Sequence, residues 1–148
     1  MKMIKSMHAI LAVGTMMFAG AAFAGPPVAI TFKNLTPTGG ADASYVVTNA
    51  NEVSTNTNAS PKPRVQVPAT QSDFYSVQNP INPSANAATV RYTIGSKTCV
   101  FATSFLTSLS GVPQWNKSAS PSGGATCTAN ITSINSATNA WAVEFTMK

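Results

Sequence analysis

The sequence predicts an all-β protein: an antiparallel β-sandwich of about seven or eight short strands with one disulfide. Three observations carry that expectation. Apolar residues recur at every second position in short runs, such as Val28, Ile30 and Phe32, or Trp141, Val143 and Phe145. That is the period of a half-buried strand. Ten prolines and nine glycines punctuate the chain and keep the runs short. No stretch has a convincing helical period, and no internal repeat is present.

The first residues read as an export signal. Lys2 and Lys5 precede the uncharged apolar run Ala9 to Phe23, and Ala22-Phe23-Ala24 is an A-x-A cleavage site. The competing reading is a membrane anchor. The run of about 15 apolar residues is shorter than the ~20 that span a bilayer as a helix, and it ends in small residues. Residues 1–24 are therefore expected to be a cleaved secretory signal peptide, and residues 25–148 a single β-sandwich domain of 124 residues. No cysteine follows the apolar run, which argues against a lipid anchor. The signal is bacterial in style, so the expected location is the periplasm or outside the cell.

Taking the remaining chain in order, Gly25-Pro26-Pro27 is a stiff lead-in to the strand at Val28 to Lys33. Pro37, Gly39 and Gly40 mark a turn, and Ser44 to Thr48 reads as a second strand. Asn49 to Pro63 is polar, turn-prone and aperiodic, which predicts a long surface loop. Val65 and Val67 make a short strand, and Pro68 confines it to an edge or an end. Asp73 to Gln78 is a further strand, followed by a rigid turn through Pro80 and Pro83.

Ala88 to Thr103 reads as a hairpin turning at Gly95-Ser96, where glycine suits the positive φ of a primed turn. Val90, Tyr92 and Ile94 share its dry face with Cys99 and Phe101. Thr103 to Gly124 is the least regular stretch. It reads as a loop containing Trp115, with a short helical turn at Phe105, Leu106 and Leu109. Cys127, Ala129 and Ile131 share one face of a strand, and Trp141, Val143, Phe145 and Met147 share a face of the last one. The expected core combines these side chains with Ile30, Phe32 and Val47. A small closed barrel is the alternative; uneven strands and long loops favour the sandwich. Strands such as Arg64 to Pro68 are too short for an outer-membrane barrel.

Cys99 and Cys127 are the only two cysteines. An even count in an exported chain reads as a disulfide. Both sit on dry faces of their strands, so the bridge is expected to be structural.

Composition excludes most catalysis. The one histidine, His8, lies in the signal segment, so no Ser-His-Asp triad, Cys-His dyad or imidazole metal site can be built from the mature chain. Only Asp42, Glu52, Asp73 and Glu144 remain as carboxylates, and their spacing suggests neither a glycosidase pair nor a Ca²⁺ loop. Gly39-Gly40 and Gly123-Gly124 lack the rest of any phosphate-binding motif. The protein is expected not to be an enzyme and to need no cofactor or metal. Seven basic residues against four acidic ones leave the mature chain at about +3, with basic residues scattered apart from Lys62 and Arg64. That is not a nucleic-acid footprint.

What remains is contact. Trp115, flanked by Gln114 and Asn116, could stack on a sugar or anchor a protein, with Tyr75 as a further polar companion. The bland alternative is a Trp115 that lids the core. The leading expectation is an exported, non-enzymatic binding or interaction module whose partner is a protein or a glycan. A structural subunit of a pilus or surface assembly is the second reading. A membrane-active β-sandwich, placing aromatic loop residues on a lipid surface, is the third.

Overall fold

The computed structural model describes residues 24–148, so the expected signal peptide lies almost wholly outside the described residues. In chain order the elements are β1 (Val28–Asn34), β2 (Ala43–Val46), α1 (Ala50–Asn58), β3 (Ala59–Ser60), β4 (Gln66–Val67) and β5 (Ser72–Val77). They continue with β6 (Ala85–Ile94), β7 (Lys97–Thr107), β8 (Pro113–Ser122), β9 (Cys127–Ile134) and β10 (Trp141–Met147). One sheet has the order β3-β5-β1-β10-β9 and the other β4-β2-β6-β7-β8. The two pack face to face as a β-sandwich.

The long hairpin β6–β7 forms as its alternation requires. It turns at Gly95 (φ 58°), with Ile94 opposite Lys97. Val90, Tyr92, Cys99 and Phe101 point inward and are fully buried. Every strand pair is antiparallel except one. β1 lies between β5 and β10, antiparallel to the first and parallel to the second, with Val28 opposite both Val77 and Trp141.

Aromatic pairs lock the layers. Phe32 stacks on Tyr92 with centroids 3.5 Å apart, and Phe101 on Phe145 at 4.7 Å. In each pair one ring comes from each sheet. Such contacts add to the area that the rings bury. The Cys99–Cys127 disulfide joins β7 to β9, again across the layers, with Cα atoms 5.8 Å apart.

Four expectations need correction. The stretch Asn49 to Pro63 is not a loop throughout, because α1 occupies most of it. Its interior is poor in helix formers and includes the β-branched Val53, Thr55 and Thr57. The helix is held at its start by Asn49, whose side chain accepts the Glu52 amide, while Glu52 accepts from the Asn49 side chain. It is held on its inner face by β6, where the Thr89 amide donates to Thr55 Oγ1 at 2.8 Å.

Thr103 to Gly124 is also regular. β7 runs on to Thr107 and β8 pairs with it along ten residues, so Phe105 faces inward and Leu106 outward with no helical turn. Pro113 and Pro121 sit at the two ends of β8, as an edge strand allows. Val47 lies beyond the end of β2 and is exposed rather than in the core. Val65 precedes β4 and is likewise exposed, while Val67 is buried.

Candidate functional site

Trp115 lies on β8 rather than in a loop. It faces inward and is half-buried. Its ring tilts against Phe105 with centroids 5.5 Å apart, and its Nε1–H donates to the Asn139 carbonyl at 3.2 Å. One flank and the polar tip of the indole are therefore engaged within the domain. Gln114 and Asn116 alternate with it and point to the other side, onto the outer face of the second sheet. There Asn116 borders a shallow groove of about 180 Å³ with Ala87, Thr89, Ala102, Ser104 and Ser118. Tyr75 is in the core, 4% exposed, and its hydroxyl pairs with that of Tyr92 at 3.1 Å. These residues do not converge: Trp115 and Tyr75 face the interior, Gln114 and Asn116 the solvent.

Three of the four carboxylates among the described residues are engaged within the domain. Glu52 is fully buried and accepts from the Thr48 amide at 2.6 Å, from the Asn49 side chain at 2.9 Å and from Arg91 Nε at 3.0 Å. Burial alone would raise its pKa. The hydrogen bonds from Thr48 and Arg91, with the Arg91 charge, outweigh that and hold it below the ordinary glutamate value. Asp73 is buried and accepts the Arg64 amide at 2.7 Å, while Glu144 pairs with Lys33 at 2.7 Å. Among the described residues no group of three His, Cys, Asp or Glu could hold a metal ion.

A different feature stands out at one end of the sandwich. The loops 78–84, 108–112 and 135–140 gather there with the segment 24–27. Pairing fixes this arrangement: Thr107 donates to Ser84, Gly25 to Asn79 and Trp141 to Pro27, all backbone to backbone. Asn86 is the clamp. Its Nδ2 donates to Pro26 and Val77 carbonyls at 2.8 and 2.9 Å, and its Oδ1 accepts the Asn79 amide at 3.1 Å. Gly25 fits close to the Ala85 carbonyl, where a Cβ would sit only 2.5 Å from the oxygen.

From this end Ile81, Leu109 and Val112 project into solvent, Ile81 being 84% exposed and Leu109 completely so. Leu106 and Ile134 are exposed at its margins. None of the four segments contains an Asp, Glu, Lys or Arg. Sequence reasoning passed over these side chains. Isoleucine within Asn79-Pro80-Ile81-Asn82-Pro83, an apolar residue in a turn that cannot be a strand, was the available signal.

Comparison with family models, with curated proteins and with solved structures finds no match to the chain.

Proposed function

We propose that the protein is an exported, non-enzymatic β-sandwich that acts as a binding module, and that it binds through the uncharged loop end rather than through Trp115. The observation that carries this reading is the exposure of Ile81, Leu109 and Val112 together on one rigidly clamped, charge-free end. Exposed apolar side chains grouped in this way are characteristic of contact surfaces. The commitment of Glu52, Asp73 and Glu144 to structural bonds supports a role in contact rather than chemistry. The disulfide is consistent with an oxidising compartment.

The test is retention of the purified protein on washed envelopes of the producing cell. A triple variant, Ile81→Ser/Leu109→Ser/Val112→Ser, should be retained far less than the parent. Equal retention of both would overturn the reading.

The position of β1 favours a second reading, that of a structural subunit in a surface assembly. This first strand bridges β5 and β10 in the middle of a sheet, and one copy's β1 could fill the same gap in another. Light scattering that returns only monomers across a wide concentration range would count against it.

A further inference from the structure

We infer that the end of the sandwich opposite Ile81 holds a site for a small organic anion, its anionic group between Lys97 and Lys148 and its apolar body against Ile94 and Pro37. A hollow of about 300 Å³ opens there, lined by Thr36, Pro37, Ile94, Lys97, Thr126 and Lys148. That volume is at the low end of the roughly 300–1,000 Å³ of small-molecule sites, which combine apolar walls with a few placed polar groups.

Topology brings these residues together. Ile94 ends β6 and Lys97 begins β7 across the Gly95-Ser96 turn, and the two are paired in register. Lys97 has the strand parity of the buried Cys99 and Phe101, so it stands on the inner face at the mouth of the sandwich, half-buried. Thr36 and Pro37 come from the β1–β2 loop, Thr126 precedes β9 and Lys148 follows β10.

The walls are fixed from within the domain. Thr126 and Lys148 exchange backbone hydrogen bonds at 2.8 and 3.0 Å. Thr36 donates its amide and its hydroxyl to Asn34 Oδ1 at 3.0 and 2.6 Å, and the Gly40 amide closes on the Pro37 carbonyl at 2.9 Å. The Cys99–Cys127 bridge ties the β7 side of the mouth to the β9 side. A hollow framed in this way exists before a ligand arrives, which lowers the ordering cost of binding.

Charge names the ligand class. Among the described residues the ion pairs are Lys33 with Glu144 and Arg91 with Glu52, so neither Lys97 nor Lys148 has a carboxylate partner. Asp73 accepts the Arg64 and Phe74 amides, and Asp42, in the β1–β2 loop, pairs with neither lysine. Two like charges at one hollow repel each other, and an anion between them replaces that repulsion with two attractions. Thr126 brings a hydroxyl donor to the same hollow. The groove beside Asn116 offers no such pair, since its one lysine, Lys117, donates to Asn130 Oδ1 at 3.1 Å. Ile94 and Pro37 add apolar surface, so the species that fits carries a hydrocarbon body as well as a charge. Carboxylates and phosphate monoesters share this chemistry.

Amide chemical shifts of the oxidised protein test this. Octanoate and octyl phosphate, each below its micellar concentration, should shift the amides of Ile94, Lys97, Thr126 and Lys148 saturably, and the tighter of the two names the headgroup. 1-Octanol and inorganic phosphate each lack one half of the ligand and should bind about tenfold more weakly or worse. Lys97→Gln/Lys148→Gln should weaken both amphiphiles by about tenfold, with the unfolding temperature unchanged as a folding control. Added salt should weaken their binding to the parent. Absence of saturable shifts at these four residues would overturn the inference, as would shifts confined to loops 78–84 and 108–112. Equal binding of 1-octanol, equal binding of inorganic phosphate, or full affinity in the double variant would overturn it too. The site is separate from the loop end that carries Ile81, so its failure leaves the envelope-binding reading standing, and the failure of that reading leaves this site standing.

Discussion

Arg91 on β6 reaches the carboxylate of Glu52 on α1 with Nη2 2.9 Å from Oε1, and the carboxylate has no solvent exposure. This pair fastens the only α-helix among the described residues to the outer face of a sheet. A buried carboxylate left without its cation costs far more than the pair contributes when intact. Arg91→Met is therefore expected to destabilise the protein by about 3 kcal/mol, at the low end for buried pairs because the guanidinium side chain is partly exposed. Chemical denaturation checks this.

The same carboxylate makes stability depend on acid. Its pKa in the folded state is below the ordinary glutamate value. The unfolded chain thus binds the proton more readily than the folded one. The contribution of Glu52 is complete above the unfolded pKa and is lost as pH falls through the folded one. Unfolding free energy should decline on acidification below the ordinary glutamate range, and Glu52→Gln should flatten that decline while lowering stability at neutral pH.

The pattern of what could be read in advance has a physical basis. β1, the β6–β7 hairpin and β10 were legible because each alternates large apolar residues with polar ones and buries the apolar set. α1 was not, since its residues favour no helix and its stability comes from the distant Arg91 and Thr89. The short signal that existed was Asn49 three residues before Glu52. β8 was hidden because it is an edge strand that packs only half-buried side chains against the core. Trp115 drew attention by its size, but its engagement depends on Phe105 and Asn139, which are remote in sequence. Whether Ile81 or Leu109 is exposed depends on which loops meet at one end, and no local pattern states that.

All three tyrosines of the chain are in or against the core. Burial raises the Tyr75 and Tyr92 hydroxyls well above their ordinary value, and burial with the nearby Glu52 charge pushes Tyr45 up to about 12. The unfolded chain would ionise them near ~10. Their contribution is therefore present below that pH and is lost as pH rises. Tyrosinate absorbance should stay absent until about pH 12 or until the protein unfolds, whichever comes first. The Tyr45 hydroxyl is buried without a hydrogen-bond partner. Tyr45→Phe should accordingly leave stability unchanged or raise it by up to ~1 kcal/mol, whereas Tyr92→Phe, which orphans Tyr75, should lower it by about 1–2 kcal/mol.

The disulfide closes a loop with a sequence separation of 28 and links opposite layers of the sandwich. Loop-closure entropy puts its contribution at about 3.5 kcal/mol. Cys99→Ala/Cys127→Ala should fall in stability by roughly that amount. Because the bridge ties the edge strand β9 to β7, the neighbour of the edge strand β8, the β8–β9 side should loosen first. Hydrogen exchange would show this as faster exchange in β8 and β9 than in β1 and β5.

Asn86 satisfies three backbone groups at once and is 2% exposed. It joins the start of β6 to the end of β5 and to the segment before β1. Asn86→Ala would leave the buried Pro26 and Val77 carbonyls and the Asn79 amide without their partners. Each buried group so stranded costs about 1–3 kcal/mol, reduced wherever water can reach it. Because Asn79 is only half-buried, a total loss of about 2–4 kcal/mol is expected. Asn86→Asp keeps the acceptor for Asn79 and loses both donated bonds, so it should be nearly as damaging. Limited proteolysis separates this local role from a general one. Cleavage between residues 78 and 84, and ahead of Val28, should accelerate in Asn86→Ala, while the opposite end, where Asn34 donates to Ala41 and Val67, should keep its protection. Uniform loss of protection at both ends would show that Asn86 supports the whole sandwich rather than clamping this end.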